Sequence, residues 1–281
     1  MSQEQQQENQ MNANNSSEYT EPEVLEQGDI YFFYRPKKDA QEVKGIEDVR
    51  CFFMVTAPEK SENKENDNKN QFYRLFVIGK KSLPEIRKTE ARASERYWAR
   101  VGGIFQDPTD FTKELLSDEF RKGDAARPVG EGKYAIVRYH QHAELAYILE
   151  MPKEPGEAQK ELGIEKEASY VISVINPRKP AASAVSDGGA YPSTEELPMY
   201  PKEVLSEFKD SEIFVSLSRD TRLIDYQNAQ IILIGAREGR DVIKNEIGVE
   251  IEESKSADIF NKLKVRKDKI PIRPLTEGKL E

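Results

Sequence analysis

A strict two-residue alternation over residues 133–150 constrains the fold more than any other feature of this sequence. Tyr134 and Ile136 point to one side of an extended chain, and their neighbours point to the other. An α-helix would scatter these apolar residues around its axis, because its period does not match an alternation of two. The pattern therefore predicts two β-strands paired as a hairpin. With a loop at residues 141–142, Ile136 would face Tyr147 across the pair.

The loop of this hairpin breaks a local rule. A two-residue hairpin loop needs positive φ angles, which Gly, Asn and Asp adopt most readily. The sequence His140, Gln141, His142 contains none of these residues. Either the connection is longer than two residues, or the rule is broken, and broken local rules are enriched at functional sites.

The segments after the hairpin predict a helix and further strands. Pro155 and Gly163 suit the first turn and the C-terminal end of a short helix. Residues 169–176 and 229–236 are apolar on both faces, which is typical of strands in the middle of a sheet.

The segments before the hairpin predict a meander and a helix. Ser82 and Glu85 form a capping-box pattern, which predicts a helix that runs to about Arg100. The predicted fold class is therefore α+β, with a mixed or largely antiparallel sheet and helices packed on it. Three apolar segments predict the strands of the antiparallel meander: residues 29–35, 50–56 and 72–79.

Composition divides the chain into folded parts and polar connections. The polar N-terminal stretch has too few apolar residues for a core, and we expect it to be disordered. The second α+β part is expected to continue the first. The predicted parts are a disordered tail (1–27), an α+β region (28–177) with a mobile insertion (58–70), a linker or surface loop (178–199), a second α+β part (200–264) and a loose tail (265–281).

Charge and cysteine content narrow the environment and the partners. The formal net charge is −9, which makes nucleic acid an unfavourable partner because phosphate contacts need a basic surface. Cys51 is the single cysteine, which fits a reducing cytosol. No apolar run is long enough to predict a membrane span or a signal peptide. A soluble cytoplasmic protein is the expectation.

The hairpin loop carries the strongest candidate site. His140, His142 and Glu144 are spaced so that their side chains could converge on a metal ion if the segment is extended. The residues also suit acid–base catalysis by His140. A third metal ligand beyond the pair and the carboxylate is not evident, and two exposed loop histidines without such a role remain the alternative.

Arginines beside aromatic residues form a second candidate site. Arg35 and Arg138 adjoin Tyr34 and Tyr139, and Arg127 comes earlier in the same predicted region as Arg138. Arginines beside aromatic strands can clamp a carboxylate or a phosphate. Tyr139 would contribute to ligand binding with them. The alternative is that the arginine stems merely cover apolar surface.

Several segments together resemble a set of uncharacterised prokaryotic proteins. The resemblance covers the chain from about Gly28 to Ala236, and it implies a folded protein without assigning a role to any residue. The segments are DIYFFYRP (29–36), RLFVIGKK (74–81), ARPVGEGKYAIV (126–137), EASYVISVINP (167–177) and AQIILIGA (229–236).

Two functions follow from these patterns as hypotheses. The first is a soluble cytosolic, non-enzymatic binding or protein-interaction protein, whose partner is an unidentified protein or a small anionic ligand. The second is a metal-dependent or acid–base hydrolytic enzyme centred on His140, His142 and Glu144. No cofactor is indicated by the sequence.

Overall fold

The fold is taken from a computed structural model. It describes residues 21–38, 40, 42–59, 72–86, 96–116, 125–179, 196–253, 258–264 and 270–281. The predicted N-terminal tail up to residue 20, and most of the predicted insertion (58–70) and linker (178–199), lie outside the described residues.

A single antiparallel sheet of nine strands organises the described chain. The strands are β1 (Glu23–Pro36), β2 (Val49–Pro58), β3 (Tyr73–Ile78), β4 (Arg96–Phe105), β5 (Arg127–Tyr139), β6 (His142–Met151), β7 (Glu167–Ile175), β8 (Phe214–Ser216) and β9 (Gln230–Glu238).

Eight of these strands close into a barrel. The order around it is β6, β5, β1, β2, β3, β4, β9 and β7, and β6 pairs with β7 to complete the ring. The short strand β8 extends the sheet by pairing with the end of β7. Strand β9 lies between β4 and β7, so residues from both predicted α+β parts share one sheet.

At two glycines, one in β1 and one in β5, the backbone of the neighbouring strand approaches too closely for a side chain. A Cβ atom at Gly28 would lie 2.1 Å from the carbonyl oxygen of Ala57, and one at Gly132 would lie 1.9 Å from that of Ile148. Neither position has room for a side chain, because the neighbouring strand's backbone occupies the space. Glycine in a strand interior often marks a place where another backbone comes close.

The inward-pointing side chains form a buried core rich in aromatic rings. Phe32 stacks on Phe52 at 6.2 Å between centroids and meets the edge of Tyr147 at 5.3 Å. Large side chains of this kind fill the interior of an eight-stranded barrel, which is only just wide enough for them. Other inward residues of this core are Ile30, Met54, Phe76, Val101, Ile136, Leu145, Tyr170, Ile172, Ile231 and Leu233.

Small helices pack on the outside and at the ends of the barrel. Helix α4 contributes buried isoleucines to an apolar cluster on the outer face of β5 and β6, while α1, α5 and α6 contribute to a cluster outside β1, β2 and β3. The helices are α1 (Pro108–Leu116), α2 (Glu157–Glu161), α3 (Lys202–Leu205), α4 (Arg240–Ile247), α5 (Ile259–Lys262) and α6 (Arg273–Thr276), with 3-10 turns at Ile46–Asp48 and Thr221–Ile224.

The predicted α+β fold class is wrong, because the described chain is mostly β and its sheet closes on itself. A main cause of this wrong prediction is the helix that was predicted to end near Arg100. Residues Arg96–Phe105 form β4 instead, since this segment pairs with β3 on one side and β9 on the other. A local capping pattern at Ser82 could not reveal these long-range partners.

The predicted hairpin exists, but its register differs. Tyr134 pairs with Tyr147 and Ile136 with Leu145, so the loop is His140–Gln141 and the pairing is displaced from the one expected. The predicted meander of the first three strands is confirmed. The central position predicted for residues 169–176 is confirmed as well, since β7 has partners on both sides.

The last described segment packs on the barrel. Leu275 is buried in the outer cluster, and Leu280 packs against the barrel core. Tyr34 donates its hydroxyl proton to the carbonyl oxygen of Glu281 at 3.2 Å. The segment predicted as a loose tail therefore has an ordered described part, residues 270–281. Within the described residues, no helix has both the length and the apolar character needed to cross a bilayer.

Candidate functional site

The β5–β6 hairpin ends in a strained two-residue turn. His140 has a φ angle of 53°, in the left-handed region that L-residues rarely adopt. His140 and Gln141 are both exposed, and His142 is partly exposed. The Tyr139 ring packs edge-on against His140 at 4.3 Å and against His142 at 5.5 Å between centroids. His140 therefore breaks the preference for Gly, Asn or Asp at a positive φ angle in a hairpin loop. The Tyr139 ring packs against both histidines of this turn.

Arg138 ties one side of this hairpin to two other parts of the chain. Its Nη2 donates to the carbonyl oxygen of Ser218 at 2.9 Å, and its Nη1 donates to Glu23 at 2.5 Å. The Ser218 hydroxyl in turn donates to the carbonyl oxygen of Gln141 at 3.4 Å. The tip of the hairpin, residues 140–142, is thus held against the loop before β9 and against the start of β1.

Glu144 ties the other side of the hairpin to the outer layer of the barrel. Its Oε1 accepts a hydrogen bond from Arg237 and lies 3.0 Å from His142 Nε2, and its Oε2 accepts one from the Ser169 hydroxyl at 2.8 Å. Arg237 also donates to Glu246 of α4 at 2.6 Å and lies 4.9 Å above the Tyr139 ring. Three elements therefore converge on one carboxylate.

The electrostatics keep Glu144 ionised. Burial acts to raise the pKa of this fully buried carboxyl group, but hydrogen bonds from His142, Arg237 and Ser169 outweigh it and lower the pKa below its usual value. Ser169 donates its proton to Glu144 and not to a histidine. The arrangement orients His142 and Arg237 and does not activate a nucleophile.

The predicted metal ligands are only partly brought together. His142 and Glu144 are in contact, while the His140 ring packs against Tyr139. In the part of the chain that the structure describes, no group of three or more His, Cys, Asp and Glu side chains is placed to hold a metal ion. Both oxygens of Glu144 already have protein partners, so a metal would have to displace them.

The predicted arginine clamp is divided between distant places. Arg127 and Arg138 are eleven residues apart on β5, or roughly 35 Å of strand. Arg127 lies 5.9 Å from the Tyr34 ring, whereas Arg35 donates to the carbonyl oxygen of Leu115 at 2.9 Å. The three arginines therefore do not form one site, and Arg35 stabilises the end of α1.

A charged cluster inside the barrel was not predicted from the sequence. Arg74 is 1% exposed and donates to both oxygens of Glu26, at 2.6 and 2.7 Å, and to Asp225 at 2.5 and 2.8 Å. Tyr134 donates to Glu26 as well, at 2.7 Å. Burial acts to lower the pKa of Arg74, but the two carboxylates outweigh it and raise the pKa. A lone charge within the apolar run 72–79 was the available signal.

Comparison with known protein families, with curated proteins and with solved structures finds no match for this chain. The resemblance to a set of uncharacterised prokaryotic proteins therefore stays a prediction.

Proposed function

We propose that this chain is a non-enzymatic binding protein that contacts a partner protein through the tip of the β5–β6 hairpin. The contact surface comprises His140, Gln141 and His142, with Arg138 and Ser218 beside them. The observation that carries the proposal is the left-handed His140 at an exposed tip, with a φ of 53°. Strained residues persist where the surrounding structure over-determines them, and they cluster at functional sites.

The supports of the hairpin favour binding over catalysis. Arg138 and Glu144 hold the tip from two sides through hydrogen bonds to distant segments. A surface loop that is rigid before it binds loses little conformational entropy in a complex, which favours affinity. The charges around the tip are already paired with each other, so they position the tip rather than act on a substrate.

The chemistry of the tip suits a polar protein surface in the cytosol. Imidazole and carboxamide groups both donate and accept hydrogen bonds, and they match the mixed polar rim of a protein interface. The single cysteine, Cys51, supports a reducing compartment. We therefore propose a cytoplasmic location and a protein partner.

A site-specific photo-crosslinker tests the proposal. The crosslinking residue replaces the exposed Gln141 at the tip, and a matched control replaces the exposed Glu154 just beyond the far end of β6. In cells that naturally make the protein, we expect one partner to be captured from residue 141 and not from residue 154. Equal capture at both positions contradicts the proposal.

A variant of the strained residue provides the second step. His140→Gly removes the imidazole and relieves the left-handed strain, so the fold should be retained or become more stable by up to about 1 kcal/mol. Binding of the purified partner, measured by calorimetry, should weaken about tenfold or more, since rigid central contacts dominate interfaces. Unchanged affinity would rule out this surface.

The contact between His142 and Glu144 keeps the metal-dependent or acid–base enzyme as a second candidate. A histidine held by a buried carboxylate at 3.0 Å is oriented to transfer a proton. Elemental analysis of the purified chain, compared with a His140→Ala, His142→Ala double variant, separates the two functions. Stoichiometric metal in the parent alone favours the enzyme.

A further inference from the structure

Residues 277–281, the segment that follows α6, lie at one end of the barrel and are held there largely through their main chain. The N–H of Ala158 donates to the carbonyl oxygen of Gly278 at 2.8 Å. The Tyr34 hydroxyl donates to the carbonyl oxygen of Glu281 and accepts the N–H of the same residue, each at 3.2 Å. Main-chain hydrogen bonds of this kind also give affinity where a protein binds an extended peptide of another chain.

Two positions of the 277–281 segment give this contact selectivity. Leu280 packs against the barrel core. Gly278 has a φ angle of 68°, and a Cβ atom there would lie 2.7 Å from the Cα atom of Gly156. Any other residue at this position would be strained and would collide with a main chain. Lys279 is exposed between the two. The place therefore selects a glycine, then any residue, then an apolar residue.

The 277–281 segment leaves two charged groups unsatisfied where it is bound. Nη1 of Arg127 and Oε2 of Glu281 are enclosed, and neither atom has a hydrogen-bond partner among the described residues. Arg127 lies 5.9 Å from the centre of the Tyr34 ring, whose hydroxyl holds the main chain of Glu281. An enclosed polar group without a partner costs about 1–3 kcal/mol. A ligand whose carboxylate reaches Arg127 would therefore be favoured over the segment.

We propose that Tyr34, Arg127, Gly156 and Ala158 form a peptide-binding groove, which the 277–281 segment occupies until a partner peptide displaces it. The partner peptide carries a glycine, an apolar residue two positions later, and next to it an acidic residue that bonds to Arg127. This groove is distinct from the hairpin tip, because β5 runs from Arg127–Tyr139 and only its far end reaches the tip. A tethered segment competes at a roughly millimolar effective concentration, so it sets a threshold for the partner.

Competition in the full chain tests the groove. Leu280→Asp should release the 277–281 segment, because a charged side chain is unfavourable against the apolar core. Lys279→Ala is the matched control, since its side chain is exposed. The ligand is a synthetic peptide with the sequence of residues 276–281, TEGKLE, amidated and carrying a fluorophore at its amino end.

Fluorescence anisotropy gives the affinity of each protein for this peptide. We expect the dissociation constant to be about tenfold lower, or more, for Leu280→Asp than for wild type and for Lys279→Ala, because the competing segment is removed. Equal affinity of all three proteins overturns the proposal. So does a folded Leu280→Asp protein that does not bind the peptide.

A second variant keeps the proposal testable if Leu280→Asp does not fold. Gly278→Ala strains the segment and moves it away from Gly156, while the side chain of Leu280 is unchanged. This variant should also bind the peptide at least about tenfold more tightly than wild type does. A peptide with alanine in place of its glycine should bind weakly to every variant. Undiminished binding of that peptide would show that it attaches elsewhere, and this contradicts the groove.

The acidic position of the ligand has its own test. A free peptide lacks the connection to α6, so its carboxylate can turn towards Arg127. In the released protein, the peptide with glutamine in place of its last residue should bind about tenfold more weakly than TEGKLE. Arg127→Gln should abolish this difference, which a purely structural role of Arg127 would leave in place. Equal affinity of the two peptides for the released protein overturns the assignment of an acidic ligand.

Discussion

Arg74 is a single charged side chain whose enclosure depends on two partners. Its guanidinium group lies among apolar interior residues and donates hydrogen bonds to Glu26 and Asp225. The two partners are far apart in the sequence, with Glu26 in β1 and Asp225 in the loop before β9. One residue therefore connects the start of β1, the middle of the sheet and the loop before β9.

Removal of the Arg74 charge should destabilise the protein strongly. In Arg74→Met, Glu26 and Asp225 would remain as two enclosed carboxylates without a cation. We expect the free energy of unfolding to fall by about 3–5 kcal/mol in urea denaturation. Arg74→Lys keeps the positive charge but not the bidentate geometry, so its free energy of unfolding should fall by less than that of Arg74→Met. Equal stability of wild type and Arg74→Met would show that the cluster is not a structural support.

Glu144 should make stability depend on acidity. Glu144→Gln removes the charge that faces Arg237, and we expect the free energy of unfolding at about pH 7 to fall by roughly 1–3 kcal/mol. The wild-type pKa is lowered, so the carboxylate stabilises the fold fully above 4.5 and loses this effect as pH falls through the lowered value. The difference between the two proteins should therefore shrink in acid, as measured by urea denaturation. A difference that is constant with pH would contradict this account.

At the scale of elements, the close approach of two backbones at Gly132 limits which residue can stand there in the β5–β6 pair. Gly132→Ala would place its Cβ 1.9 Å from the carbonyl oxygen of Ile148, so the β5–β6 backbone must move. We expect the free energy of unfolding of this variant, measured by thermal denaturation, to fall by about 3 kcal/mol or more. Gly45→Ala is the control, because its nearest neighbour is a side-chain atom of Glu161 at 3.5 Å. Similar decreases in stability in both variants would mean that the close backbone contact at Gly132 is not responsible.

Elements with a clear period could be predicted from the sequence, and those decided by distant partners could not. The alternation around Tyr134 reflects an apolar interior and a different outer layer, so the hairpin was visible locally. The segment around Trp98 has no such clean alternation, and only its pairing with β3 and β9 makes it a strand.

The same distinction applies to the candidate site: its local turn could be predicted from the sequence, and its distant partners could not. The absence of Gly, Asn or Asp at the turn pointed to His140. The partners Arg237 and Ser169, however, reach Glu144 only through the pairing of β6, β7 and β9.

At the scale of the whole molecule, closure of the barrel makes its two parts interdependent. A chain ending at residue 177 would lack β9, and β4 and β7 would each lose a neighbour. We expect the separate pieces 1–177 and 178–281 to show no cooperative thermal unfolding, because an open sheet of this kind exposes apolar surface and unpaired edges. Cooperative unfolding of either piece alone would show that the barrel is not the folding unit.

The late position of β9 in the chain also sets an order of events during synthesis. Strand β7 ends at Ile175, and β9 begins at Gln230. At ~5–20 residues per second, a ribosome needs about 3–11 s to make the intervening stretch. During that interval β4 and β7 have already been synthesised, but β9, the strand that pairs with both, has not. During this interval the nascent chain therefore has two unpaired strand edges. This is the period in which it most needs a chaperone.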